Sequence, residues 1–328
     1  MEDQERRIDQ QEIRLTADDA ASCKYYAAKL GYFKDNYIKY FIRQELKRPP
    51  LINRGYYCRC ASYEFVINNF LSKYQNDCSI INLGAGFDTL YFRLKENNSM
   101  PSQLLELDMK ENIQKKLRII NKYAALKDMI PNYKINDDFS IQTDHYSLFP
   151  CDLTNIHEFE ECLKKSTIDS QKPVLILSEC VLIYIDPDYS DPLIQFISDQ
   201  FSQACFLTYE QIMPSDAFGR TMVKNLNERG CPLLSLEKYP TLEDQKKRYI
   251  SRGFTYCDSE TMHNVYYNLL PMKDVQRATS LEFFDEYEEW LLIQTHYCLT
   301  YASKIDNIQD IFPMRHNALP KLSSIWID

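Results

Sequence analysis

The chain has 328 residues, 45% hydrophobic and 26% charged, a balance that supports a large packed core and excludes a disordered or fibrous protein. Its net charge of −9 lacks the basic footprint that nucleic-acid binding requires. The apolar runs Val174–Leu177 and Val181–Ile183 are separated by Ser178 and Glu179 and are too short to cross a bilayer, and the opening MEDQERRIDQQEIRL has no apolar core of a secretory signal, so a cytosolic or nuclear protein is expected.

Residues 17 to 48 read as two helices. Thr16 or Asp18 caps the first and Gly31 ends it, while Asp35 opens the second and Pro49-Pro50 stops it. A third helix, from about Tyr56 to Tyr74, leads into the apolar run Ser79–Leu83. From there strands near 79–83, 103–107, 145–150, 173–178 and 204–209 alternate with helices near 88–96, 109–127, 155–165 and 191–201. This alternation predicts an α/β fold with a mostly parallel sheet covered on both faces. Residues 215–285 are largely helical in pattern and rich in charge, with Gly253-Phe254-Thr255 marking a strand start, and read as an inserted lid. The apolar and aromatic segment Trp290–Tyr301 reads as a returning final strand. The chain thus divides into a helical extension (1–75), a core (76–214), a helical insertion (215–285) and a terminal strand region with tail (286–328), with no internal repeat.

Glycine is scarce. Two of the seven sit in Asn82-Leu-Gly-Ala-Gly-Phe-Asp-Thr89, where the first strand ends. Glycine allows a sharp turn and close approach of a ligand to the main chain, although tight packing alone can also demand it. Thr89 stands where a dinucleotide fingerprint has its third glycine, which argues against a diphosphate ligand. The second strand ends in Leu104-Leu-Glu-Leu-Asp108. Glu106 and Asp108 alternate with apolar positions, and Asp108, nearer the strand end, is the carboxylate placed to accept from both ribose hydroxyls of a nucleoside. Asp152, after the third strand, suits an adenine amino group. Glu179 closes the apolar run Val174–Leu177, where an unpaired buried carboxylate would be costly.

Eleven scattered cysteines read as reduced thiols, and the pair Cys58 and Cys60 lacks zinc-knuckle spacing; with five histidines and no HExxH, no metal site is expected.

These motifs and others in the same order resemble leucine carboxyl methyltransferases over roughly residues 20–301. The matching stretches are Ala21–Lys24 with Gly31-Tyr32, Asn53–Arg59, Asn82–Thr89, Leu177–Tyr184, Tyr209–Gln211 with Phe218-Gly219, Ser280–Asp285, and Thr295–Cys298. The resemblance implies a class I, Rossmann-like, seven-stranded methyltransferase sheet, with an N-terminal helical cover over the cofactor site and a lid inserted late. It implies S-adenosylmethionine as methyl donor, and the C-terminal leucine carboxylate of the catalytic subunit of type-2A protein phosphatases as acceptor, methylated by a monomer. It places Arg59 at the carboxylate end of the donor with Lys24 nearby, Gly84 in the glycine turn, Asp108 at the ribose, Asp152 and Leu153 at the adenine, and Glu179 at a further donor contact. Leu-Glu-Leu-Asp in the second strand departs from the commoner aromatic and valine, and Asn82 from the acidic residue of broader methyltransferases.

An α-carboxylate with a pKa of about 3.5 is ionised at neutral pH, so its methylation needs alignment and desolvation rather than a general base. Arg59, whose planar guanidinium fixes a carboxylate's orientation, is the leading anchor, and Tyr184 is the candidate hydroxyl donor to the acceptor. The competing readings are a tRNA-modifying carboxyl methyltransferase, which carries a further C-terminal repeat domain, a nicotinamide-dependent oxidoreductase, and a non-catalytic phosphatase-binding protein.

Overall fold

The computed structural model describes residues 2–306 and 308–314, so the end of the terminal tail lies outside the described residues. Helix α1 (Glu2–Lys29) is continuous and does not begin at a cap near Thr16, whose Oγ1 donates back to Ile13 O (2.6 Å) as a threonine inside a helix can. It ends as expected at Gly31, with φ of +89° and Tyr32 N–H returning to Ala27 O.

The helix expected over 35–48 does not form. Asp35 Oδ1 accepts from Tyr37 N and Ile38 N (2.9 and 3.0 Å), but only one 3-10 turn, Ile38–Tyr40, follows. The apolar residues here come in a cluster rather than at helical spacing. Ile38 and Phe41 are buried and Phe41 stacks on Phe87, so the segment crosses the core as a strap. The next helix, α2 (Pro50–Tyr74), begins six residues before its expected start: Pro50 occupies its first position, where a missing N–H is no loss, so the proline pair is a start as well as a stop.

The core follows as β1 (Ser79–Leu83), α3 (Leu90–Glu96), β2 (Gln103–Asp108), α4 (Lys110–Lys122), α5 (Ala124–Lys127), β3 (Ile141–Gln142), β4 (Tyr146–Pro150), α6 (Ile156–Lys165), β5 (Val174–Glu179), α7 (Pro187–Gln200) and β6 (Ala204–Gln211). Then come α8 (Ala217–Glu228), α9 (Leu242–Ile250), β7 (Tyr256–Thr261), α10 (Met262–Asn268), α11 (Met272–Thr279), α12 (Tyr287–Thr295) and β8 (Tyr297–Ser303). One sheet runs in the order β3-β4-β2-β1-β5-β6-β8-β7. Its centre, β4 to β6, is parallel, while β3, β8 and β7 pair antiparallel. The expected seven strands become eight through β3, a two-residue edge strand opposite Ser147 and Leu148.

Two expectations beyond β6 are corrected. The segment 215–285 is not wholly a helical insertion, because β7 belongs to the sheet and pairs with β8 along its whole length. The strand start read at Gly253-Phe254-Thr255 falls just before β7, which opens at Tyr256. Nor is Trp290–Tyr301 one strand. Residues up to Thr295 form α12, with Glu288 and Glu289 in its first turn and Trp290 and Gln294 buried one turn apart, and only Tyr297 onward is β8.

Apolar side chains alternate between two cores. Along β5, Leu175 and Leu177 pack into the cluster beneath α2, and Val174 and Ile176 into the cluster with α7. Both faces are covered, which is why the strand is an unbroken apolar run, each such residue contributing about 1.5–3 kcal/mol of burial. On either side of β1 the chain departs in opposite directions, to β2 and to β5, and the strand ends diverge into a crevice.

Candidate active site

A cavity of about 450 Å³ occupies that crevice. All eight residues singled out from the sequence line it: Lys24, Arg59, Gly84, Asp108, Asp152, Leu153, Glu179 and Tyr184. Helix α1 brings Lys24 and α2 brings Arg59 over the ends of the strands that carry the others.

The glycine turn is demanding. Gly84 and Gly86 have φ of +59° and +49°, and a Cβ on Gly84 would lie 2.6 Å from Val181 Cγ2. Gly84 is therefore required by its backbone conformation and by the chain leaving β5, a packing reason the sequence leaves open. Asp108 holds the turn from the neighbouring strand. Its Oδ2 accepts from Gly86 N (2.6 Å), and its Oδ1 from Met109 N (2.7 Å) and Asn112 Nδ2 (2.8 Å). Burial raises the Asp108 carboxyl above its ordinary pKa, against these donors. Glu106, two residues earlier, is fully buried beneath the turn, where its Oε2 accepts from Lys116 Nζ (2.6 Å) and Tyr146 OH (2.7 Å). Lys116 Nζ also donates to Asp88 O (2.8 Å), so a buried ion pair supports the turn from below.

At the end of β5, Glu179 is shared by two cations. Its Oε1 accepts from Arg59 Nε and its Oε2 from Lys24 Nζ (2.8 Å). Burial opposes its ionisation, but Arg59 and then Lys24 outweigh it and hold the carboxyl below the usual range. The Arg59 guanidinium lies 4.8 Å from the Tyr209 ring and 5.4 Å from the Tyr56 ring, while among the described residues its Nη groups have no hydrogen-bond partner. Its planar fork is thus backed by a carboxylate and two rings. The Tyr184 hydroxyl likewise has no partner among the described residues, and burial pushes its pKa up, so it stays a neutral donor. Asp152 is held by its own loop: Oδ1 accepts from Thr154 N (2.9 Å) and Thr154 Oγ1 (2.7 Å), while its N–H donates to Glu158 (3.0 Å). Leu153 is buried against the same wall.

The structure adds residues that sequence reasoning did not select. Asp88, inside the glycine motif, also lines the cavity; burial opposes its ionisation, yet Lys24, Arg93 and Lys116 bring it down to about 2. Cys180 follows Glu179 with φ of +55°, a left-handed conformation uncommon outside glycine, at the point where the chain leaves β5 for the cavity wall. Tyr297 stacks on Tyr209 and carries the aromatic floor away from Arg59. All three lie in stretches that the sequence reading had marked, Asp88 in the glycine turn, Cys180 in Leu177–Tyr184 and Tyr297 in Thr295–Cys298, but none was picked out as a site residue.

Among the described residues no group of three or more histidine, cysteine or acidic side chains is placed to hold a metal, and no helix is long and apolar enough to cross a membrane. The sequence profile of the family described as "Leucine carboxyl methyltransferase" matches residues 12–198, more than half of the chain. The chain belongs to the leucine carboxyl methyltransferase family. It is 39% identical to the "Leucine carboxyl methyltransferase 1 homolog" of Arabidopsis thaliana over 91% of each chain. It is 35% identical to "Leucine carboxyl methyltransferase 1" of Rattus norvegicus, covering 90% of this chain and 91% of that one. The human "tRNA wybutosine-synthesizing protein 4" is 31% identical over 95% of this chain but only 47% of its own length. In this chain the sheet carries one short edge strand beyond the expected seven, and the cavity is roofed by α1 and α2.

Proposed function

We propose that this methyltransferase moves a methyl group from S-adenosylmethionine to the α-carboxylate of the C-terminal leucine of the catalytic subunit of type-2A protein phosphatases, forming a methyl ester and S-adenosylhomocysteine. The observation that carries the reading, within a family of carboxyl methyltransferases, is an arginine fork with open Nη groups, aimed by a buried carboxylate into a cavity of about 450 Å³. That size fits an adenosyl ligand plus a chain end.

S-adenosylmethionine supplies a sulfonium-activated methyl group. Arg59 holds the donor's carboxylate, with its orientation set by Glu179 and the Tyr209 ring. Lys24 keeps Glu179 ionised, and Glu179 and Asp88 supply negative charge for the donor's ammonium. Asp108, with lone pairs beyond those used by the turn, accepts from the ribose hydroxyls, and Asp152 and Leu153 border the adenine. Tyr184 donates to one oxygen of the acceptor carboxylate, leaving the other to form the bond to the methyl carbon as the carbon–sulfur bond breaks and its electron pair returns to sulfur. The acceptor is already ionised at neutral pH, so no base takes part, and alignment in a water-poor site lowers the barrier.

The test is to incubate the protein with methyl-labelled donor and phosphatase catalytic subunit, either intact or lacking its terminal leucine. Label confined to the intact subunit and released by mild base supports the reading. Equal labelling of both forms contradicts it.

A further inference from the structure

Tyr184 reaches the cavity from a single 3-10 turn, Leu182–Tyr184, and one buried side chain from far along the sequence grips that turn. Ser235 is fully buried. Its Oγ lies 2.8 Å from Leu182 O and 2.7 Å from Ile185 O and shares its one proton between them, while its N–H donates to Ile183 O (3.1 Å). Three of the four carbonyls from Leu182 to Ile185 therefore meet one residue.

The segment that brings Ser235 is itself a wall of the cavity. Leu233 and Leu236 bury Ile183, and the Tyr184 ring packs against the same small cluster. Cys231, Pro232 and the exposed Leu234 line the cavity beside it. A few residues on, the segment is tied down to α7: Tyr239 OH and Lys238 Nζ donate to Asp191 Oδ2 (2.6 and 2.9 Å), and the buried Arg248 of α9 donates from Nε to Asp191 Oδ1 (3.1 Å). Ser235 thus bonds the turn to an anchored body rather than to a free loop.

Left to itself the turn is weakly determined. Its internal bonds are Tyr184 N to Val181 O (3.1 Å) and Ile185 N to Leu182 O (3.2 Å), and Ser190 Oγ reaches Ile185 O only at 3.4 Å. The Tyr184 hydroxyl has no partner among the described residues, so its direction is set by the backbone beneath it and the cluster around its ring. A hydroxyl that must meet one oxygen of a carboxylate while the other faces a methyl carbon tolerates a displacement of only about 0.5 Å.

We infer that Ser235 is a positioning residue whose hydroxyl locks the Tyr184 turn to the inserted wall, so that the group that binds the acceptor carboxylate and one side of the acceptor's pocket are held as one body. This rests on the reading of Tyr184 as the donor to that carboxylate. The methyl donor's site does not depend on the lock, because the bonds that hold Asp108, Asp152 and Glu179 do not run through Ser235. Ser235→Ala removes only the shared proton: Leu182 O keeps the Ile185 N–H, Ile185 O keeps Ser190, and the Ser235 N–H still meets Ile183 O. The fold survives that change and the turn loosens.

The experiment uses the full chain, phosphatase catalytic subunit as acceptor, and S-adenosylhomocysteine as calorimetric probe, in the native protein, Ser235→Ala, Tyr184→Phe and the double variant. Ser235→Ala should lower kcat/KM for the acceptor about tenfold, the scale of a slightly misplaced reacting group, and leave probe affinity within about twofold. In the Tyr184→Phe background the same change should cost less than about twofold, because the hydroxyl that Ser235 aims is gone. Ser235→Cys, which keeps a weaker donor, should fall between native and alanine, and it carries the same comparison where the alanine variant does not fold. Equal losses in the two backgrounds, full activity of Ser235→Ala, or a matching loss of probe affinity would overturn the inference. Native kinetics in Tyr184→Phe would overturn it together with the role given to Tyr184. A native protein that binds the probe but leaves the catalytic subunit unmethylated would instead overturn the functional reading, and the inference with it.

Discussion

Replacing Lys116 with methionine tests whether the glycine turn rests on a buried ion pair. Lys116 and Glu106 are both fully buried; Lys116 Nζ lies 2.6 Å from Glu106 Oε2 and 2.8 Å from Asp88 O, and Glu106 Oε1 has no hydrogen-bond partner among the described residues. Methionine fills similar volume but strands the Glu106 carboxylate and leaves the Asp88 carbonyl unpaired. Breaking one side of a buried pair typically costs about 3–5 kcal/mol. Burial already raises Glu106, and without the lysine it rises further, so the folded variant binds a proton that the unfolded chain releases near a pKa of about 4.3. Its stability must therefore fall as pH rises from 5 to 7.5. Urea unfolding followed by circular dichroism at both pH values measures this. The further change Glu106→Gln in the same protein should recover much of the loss and remove the added pH dependence. A Lys116→Met loss under about 1 kcal/mol, the same at both pH values, would refute the reasoning.

Gly84→Ala should weaken S-adenosylhomocysteine binding and destabilise the fold by at least about 1–2 kcal/mol, the penalty of a left-handed alanine, and Val181→Ala should restore part of it by removing the 2.6 Å clash; calorimetry and thermal melts report both. Asp108→Asn should reduce probe affinity by about 1.5–3 kcal/mol per lost contact to charge, measured by the same titration. For Glu179, whose folded pKa is lowered, the stabilising pair with Arg59 and Lys24 is fully present above the unfolded value of about 4.3 and is lost as pH falls through the lower folded one. Probe affinity should hold to about pH 5 in the native enzyme, and Glu179→Gln should lower it throughout that range.

The parallel core was legible because its strands are buried on both faces and end in recognisable chemistry: the glycines after Leu83, Asp108 as the last residue of β2, and Glu179 as the last residue of β5. Polar residues ending apolar runs announce a crevice, and the eight residues chosen on that logic or by resemblance converge on one cavity. The elements that failed to read lack a clean period. Residues 35–48 carry a proper capping aspartate but cluster their apolar side chains, so packing against Phe87 overrode the helix signal. The start of β7 was read at Gly253-Phe254-Thr255, but its place in the sheet is set by β8 some forty residues later. Long-range pairs were out of reach altogether. Nothing local to Ser235 points to the carbonyls of Leu182 and Ile185, and nothing near Glu106 shows that Lys116 rather than a ligand would meet it.

The central claim is that the cavity esterifies a polypeptide C-terminus. Tandem mass spectrometry of phosphatase catalytic subunit, after turnover with S-adenosylmethionine by the native protein and by Arg59→Ala, addresses it most directly. The account predicts one added methyl group on the C-terminal leucine carboxylate with the native protein and none with a correctly folded Arg59→Ala. Methyl on a side chain, or undiminished C-terminal methylation by the variant, would contradict it.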